Sequence, residues 1–316
     1  MNKYGWFIIA MLGFAIPVLV PGKVAAQEAP ATKEASAHML VTVEARHGNN
    51  VPDVSREDVM VYEGHDRDKV TEWVPAQGDH AALELFIMLD DGSNVSLGTQ
   101  LDDLRQFINA QPATTKVGIA YMQNGIARVE QNPTSDHALA TKALRLPLGT
   151  VTVNGSPYFS LGDLIKRWPE SGARREVLLV TDGIDRYYGS WDLEDPYLAT
   201  AIDEAQHAGI IVYAIYTPGV GHYGHSYWQN YWGQIYLAEL AEKSGGEAYW
   251  IGFTGPPVSF DPYLDDMGRH LGHQYFLAFI PKPQKKSGLQ RVKVTTEVSN
   301  AELVAPEKVY IPAATP

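Results

Sequence analysis

The apolar run Leu85-Phe86-Ile87-Met88-Leu89 ends without transition at Asp90-Asp91-Gly92-Ser93. A continuous hydrophobic run of this length is how a parallel strand buried on both faces reads. The pattern recurs at Val177-Leu178-Leu179-Val180, which ends in Thr181-Asp182-Gly183, and at Ile210-Ile211-Val212-Tyr213-Ala214-Ile215. Between these runs the spacing becomes helical. Leu101, Leu104, Phe107 and Ile108 share one face over 100–110, and helices are also predicted over 136–144, 157–168, 195–208, 232–243 and 262–271. A strand is predicted over 116–122, and Asn124-Gly125 then marks a two-residue hairpin into 126–130. Alternation of this kind predicts an α/β fold with a doubly wound, mostly parallel sheet and one antiparallel edge strand over 81–272.

The two ends of the chain carry a different rhythm. Runs at 39–45, 59–63 and 70–74, and again at 275–280, 289–298 and 308–311, read as short strands separated by polar or Gly/Pro breaks. Three strands with one buried face are near the minimum for independent stability. The segments 38–80 and 273–316 are therefore expected to combine into one small β module flanking the α/β domain.

Composition narrows the setting. Residues 1–26 hold an early Lys3, an apolar stretch and Val24-Ala25-Ala26 before Gln27, the form of a secretory signal peptide cleaved after Ala26. Pro17 and Pro21 interrupt that stretch, which argues against a membrane anchor. Residues 27–37 read as a flexible leader. The expected location is outside the cell or in a periplasm. The chain has no cysteine, which excludes disulfides and thiolate chemistry. Losing Lys3 and Lys23 with the signal peptide takes the net charge from −12 to −14, which disfavours nonspecific attraction to nucleic acid or anionic lipid.

Ligands of open α/β sheets bind beyond the carboxyl ends of the strands, so the residues closing the two runs matter. Asp91, Ser93 and Asp182, with Asp90 and Ser96 in support, would bring oxygen donors to one edge. Hard divalent ions favour such donors. A D-x-S-x-S-type loop, a Gly155-Ser156 pair about sixty residues on, Thr181-Asp182-Gly183 and a late Gly245-Gly246 resemble the von Willebrand factor A (VWFA) domain, particularly the secreted bacterial, acidobacterial-type VWFA-related proteins. The resemblance implies a metal-ion-dependent adhesion site with Asp91 as first carboxylate, Ser93 and Ser156 as hydroxyl donors and Asp182 as last carboxylate. Mg2+, or Mn2+ or Ca2+, would be the cofactor, and an acidic residue of a protein partner would complete its shell. Val95 departs from the pattern, since the family has serine there. A frame starting at Asp90 loses both hydroxyls, so the Asp91 frame is preferred. A simpler reading is that Asp91, Ser93 and Asn94 merely cap the following helix.

After Ile215 the chain is unusually aromatic, and His222, Tyr223, His225, Tyr227 and Trp228 are expected to form a partner-binding rim on a loop. His270 and His273 are three apart on a helix, with no third metal ligand evident. Signatures of nucleotide binding, serine hydrolases and zinc proteases are absent. The expected function is therefore an exported, non-enzymatic, VWFA-like binding module. The alternatives are an envelope structural or assembly protein with a degenerate site and, further off, a metal-dependent hydrolase.

Overall fold

The computed structural model describes residues 36–93, 97–149, 155–189, 194–219 and 226–313. The first half of the α/β region contains β4 (Leu83–Asp90), α1 (Gly98–Ala110), β5 (Thr115–Gln123), β6 (Ile126–Thr134), α2 (His137–Lys142), α3 (Pro157–Arg167) and β7 (Arg174–Thr181). It continues with α4 (Pro196–Ala208), β8 (Ile210–Tyr216), α5 (Tyr227–Ser244), β9 (Ala248–Tyr249) and α6 (Asp261–Gly272). Its sheet has the order β6-β5-β4-β7-β8-β9. Every pairing is parallel except β5 with β6, which the Asn124-Gly125 turn makes antiparallel. Both turn residues have positive φ, 49° and 75°, as a type I′ hairpin requires.

All eight positions of β4 and all eight of β7 are buried, as their apolar runs require. One face packs on α1, α2 and α6 through Leu104, Ile108, Ala140 and Leu264. The other packs on α3, α4 and α5 through Leu161, Ile202 and Leu237. Side-chain caps at Asp136, Ser156 and Asp195 start α2, α3 and α4.

The terminal strands are β1 (Ala37–Ala45), β2 (Val59–Glu63), β3 (Asp66–Pro75), β10 (Gln274–Ile280), β11 (Gly288–Arg291), β12 (Lys293–Thr296), β13 (Ala301–Val304) and β14 (Lys308–Ile311). Six of them form an antiparallel sheet in the order β12-β2-β3-β10-β1-β13. Its outer strands β12 and β13 lie against each other, so the sheet curls into a nearly closed barrel around Val41, Val61, Leu277, Phe279, Val294 and Ala301. This corrects the expected architecture. The fold is a mixed-sheet α/β half joined to an antiparallel barrel with as many strands, rather than a doubly wound sheet with a small β module beside it. The physical reason lies in the pattern of β2, whose positions alternate between buried and half-buried. Strands with one apolar face gain most by closing on each other, which also removes exposed edges.

Two further differences are local. The predicted strand 289–298 is broken at Val292, whose N–H donates to the Glu307 carbonyl, and the two pieces join different sheets. Helix α5 starts five residues before the predicted 232, so Tyr227 and Trp228 lie on a helix rather than a loop.

Candidate functional site

The carboxyl ends of β4, β7 and β8 carry the acidic residues that the sequence singles out. Successive strand residues point to opposite faces, and this decides between Asp90 and Asp91. Asp90 closes β4 and faces β7. It accepts from the Thr181 hydroxyl at 2.8 Å and from the Gly92 N–H at 2.8 Å. Burial pushes its carboxyl pKa up, the negative charge of Asp182 adds to this, and Arg186, Gly92 and Thr181 oppose it.

Asp91 turns the other way. Both of its oxygens are gripped by Arg145, at 2.6 and 2.8 Å, in a bidentate pair. Gln123 and the Leu148 N–H also donate to it. Arg145 is held in turn by Tyr121. Its guanidinium lies 3.7 Å from the ring centroid, and the tyrosine hydroxyl donates to the Arg145 carbonyl at 2.8 Å.

Asp182, fully buried, forms an ion pair with Arg186 and accepts from the Ile184 N–H at 3.0 Å. Ser156 donates to Asp185 at 2.9 Å, while the Arg186 N–H donates to the Gly155 carbonyl. Asp185 accepts from Tyr187 and Tyr188 N–H groups at 2.8 and 2.9 Å, which rolls the loop after β7 into a tight turn. Burial raises its carboxyl above the usual range, and these hydrogen bonds oppose that. Ser93 sits 3.3 Å from Thr217 and bridges to Gly219.

Asp182 and Ser156 are thus drawn together through the 182–186 turn, with Ser93 nearby through Gly219. Asp91 faces a separate arginine, and Asp90 takes the inward position. As folded, the donor set does not fit a divalent ion, because its two expected carboxylates are committed to different guanidinium groups. Ser96, His222, Tyr223 and His225 lie outside the described residues. The sequence reading missed Arg145, Arg186 and Asp185. For Arg186 a signal existed, a cation four residues after Asp182; for Arg145 there was none.

Exposed aromatic side chains lie in the described segments after β7 and β8. Tyr227, Trp228 and Tyr231 are 67%, 65% and 46% exposed and stack along the first turns of α5. Tyr187 and Tyr188, also exposed, follow β7 and pack on Tyr197.

A second polar cluster lies at the entry to β9, away from this edge. His270 Nε2 stands 3.3 Å from Glu44, 3.5 Å from Asp266 and 3.8 Å from Glu247. Burial lowers the imidazole pKa, and burial with Glu247, Asp266 and Glu302 raises that of Glu44 to about 7.

A mostly parallel sheet with one antiparallel edge, and aspartates at the tips of β4 and β7, make this half VWFA-like. No family model and no curated protein matches the chain. Similar solved structures include an aerotolerance-related membrane protein from Bacteroides fragilis, at 14% identity over 60% of this chain and 98% of that one, TM-score 0.42. Another is the SpRpn10 VWA domain, at 13% identity over 59% and 95% of the two chains, TM-score 0.37. A third is the vWF domain of a type V pili tip protein from Porphyromonas gingivalis, at 10% identity over 60% and 94%, TM-score 0.39.

Proposed function

We propose that this chain is an exported binding module that seats a protein partner on the carboxyl edge of its α/β sheet. One observation carries the reading. Among the described residues, eight of the twelve large exposed hydrophobic side chains lie in segments that follow the carboxyl ends of β5, β7, β8 and β9, and two more, Leu146 and Leu148, lie after α2 in the segment whose Leu148 N–H bonds Asp91. They are Ile126, Leu146 and Leu148 on one side, Tyr187 and Tyr188 in the middle, and Tyr227, Trp228, Tyr231, Phe253 and Val258 on the other. Apolar side chains gathered on one rim mark an interaction surface, and exposed tyrosine and tryptophan supply most of the contact energy at such surfaces. Arginine-paired carboxylates within the rim keep its centre polar without leaving a naked charge for the partner to desolvate.

The partner is held by the rim and needs no metal. The route implied by the resemblance, a partner carboxylate completing a metal shell, is set aside because Asp91 and Asp182 already carry counter-charges. No hydrolytic step is proposed for the same carboxylates. Among the described residues, no helix is long and apolar enough to cross a membrane; export is proposed on the signal-peptide pattern of 1–26.

A photo-crosslinking residue at Trp228 or Tyr187 should capture a protein from the producing cells, and one at Tyr310 on the barrel side should not. Equal capture from Tyr310, or none from either rim position, would sink the proposal.

A further inference from the structure

The charges at the tips of β4 and β7 are met from inside the chain. Asp182 has no exposed surface, and the Arg186 side chain paired with it is 4% exposed. Arg186 lines a cavity of about 10 Å³ with Asp90, Gly155, Ser156 and Ser160, room for one water at most. From the loop after β8, Gly219 closes the other side, since a Cβ there would collide with both Asp182 and Arg186. Asp182 thus bonds the guanidinium directly, while Asp90 from the end of β4 and Ser156 from the turn before α3 share the small cavity that Arg186 lines.

We propose that Arg186 is the resident cation of this edge, standing where the VWFA resemblance would place a divalent ion, and that shortening it uncovers a latent oxygen site for a hard divalent cation. Two buried carboxylates on adjacent strands need a counter-charge, because burial without one costs far more than pairing. A guanidinium meets that need permanently, being charged at any accessible pH and planar enough to bond two oxygens at once. Tethered four residues from Asp182, it cannot be lost to dilution or to a chelator. With the side chain shortened, Asp90, Asp182 and Ser156 become the two-carboxylate, hydroxyl-bearing set that magnesium and manganese accept alongside several waters. The assignment concerns the interior of the edge and stands whether or not the rim takes a protein.

The full-length chain, R186A and R186A/D182N should be titrated with Mn2+ by calorimetry and followed by thermal denaturation with and without EDTA. The wild type should give no heat, and neither Mn2+ nor EDTA should move its Tm. R186A should melt lower, bind Mn2+ at least tenfold more tightly than the wild type, and regain part of the lost Tm; adding D182N should remove the binding. If R186A does not fold by itself, recovery on refolding with Mn2+ supports the assignment and failure to recover counts against it. Wild-type Mn2+ binding that D182N abolishes would overturn it, as would a folded R186A that binds none. Crosslinking at Trp228 reads the rim independently of all these outcomes.

Discussion

Gly183 and Gly233 meet backbone against backbone. The space a side chain would need at Gly233 is filled by the carbonyl oxygen of Asp182, and that at Gly183 by the carbonyl of Gly233. Gly183 also has φ of +69°, which a substituted residue would hold only under strain. This contact fixes α5, with Tyr227, Trp228 and Tyr231, against the loop that carries Asp182. Rim and acidic centre therefore form one rigid piece. G233A should destabilise the fold by roughly 1–3 kcal/mol through overpacking. G98A, in α1 with nothing near its would-be Cβ, should be neutral or slightly stabilising. Denaturant titration of the two variants checks this, and a G233A midpoint equal to that of the wild type would show that the contact yields freely.

Removing Arg145 should be costlier than removing its charge partner. Asp91 is 1% exposed, and without the guanidinium its carboxylate keeps, among the described residues, only the Gln123 amide and the Leu148 backbone N–H as donors. Breaking a buried pair from one side strands the other charge, at about 3–5 kcal/mol; the 34% exposure of Arg145 places R145A at or below the low end of that range. D91N keeps a polar group in place and should cost less. The double variant R145M/D91N should recover much of the R145A loss, and equal losses for R145A and the double variant would contradict the pairing.

The rim aromatics should separate function from stability. Trp228 is largely solvated, and Tyr231, 46% exposed, adds to its contacts with Trp228 and Tyr227 one ring contact with Trp232, so W228S/Y231S should change the unfolding free energy by no more than about 1 kcal/mol. The same variant should lose most of the partner captured by a crosslinker at Tyr187. A folded W228S/Y231S that retains full capture would place the contact elsewhere.

The apolar runs ending at Asp90 and Thr181, the Asn124-Gly125 turn and the caps at Asp136, Ser156 and Asp195 were legible because each is a local signal. The direction of Asp91 was not. Matching hydroxyl spacing favoured it over Asp90, but a one-residue shift along a strand reverses the face, and no local pattern records which neighbour faces inward. Arg145 and Arg186 escaped for a related reason, since a long flexible side chain chooses its partner by tertiary packing. The barrel was underestimated because its strands are short and their partners distant. Lys293 pairs with Tyr62 and Ala45 with Ala301, contacts that no window of sequence contains. The carboxylates around His270 likewise come from β1, the residue before β9 and α6, so a search for neighbouring ligands in sequence found none.

Stability should fall as pH rises from about 4.5 to about 7, against the usual trend for acidic proteins. Burial raises Glu176 to about 7, with Arg174 at 3.8 Å opposing, and raises Glu44 to a similar value in company with Glu247, Asp266 and Glu302. An acid whose folded pKa lies above its unfolded value of 4.5 binds more protons folded than unfolded across that window. Its contribution is complete below 4.5 and is lost as pH climbs through 7. The ceiling is about 3 kcal/mol for Glu176, which is fully buried, and less for the partly solvated Glu44. His270 works the other way. Its folded pKa lies below 6.5, so stability from this group rises as pH approaches 6.5. With Arg269 beside Asp266 as a fixed charge, two strongly raised carboxyls outweigh one lowered imidazole. Thermal denaturation between pH 4.5 and 8 should show a decline that E44Q shallows and E44Q/E176Q shallows further, with buried Asp68, raised to about 6, and Asp90 keeping part of it; a wild-type profile rising through that range would mean that these carboxyls are ionised in the folded chain.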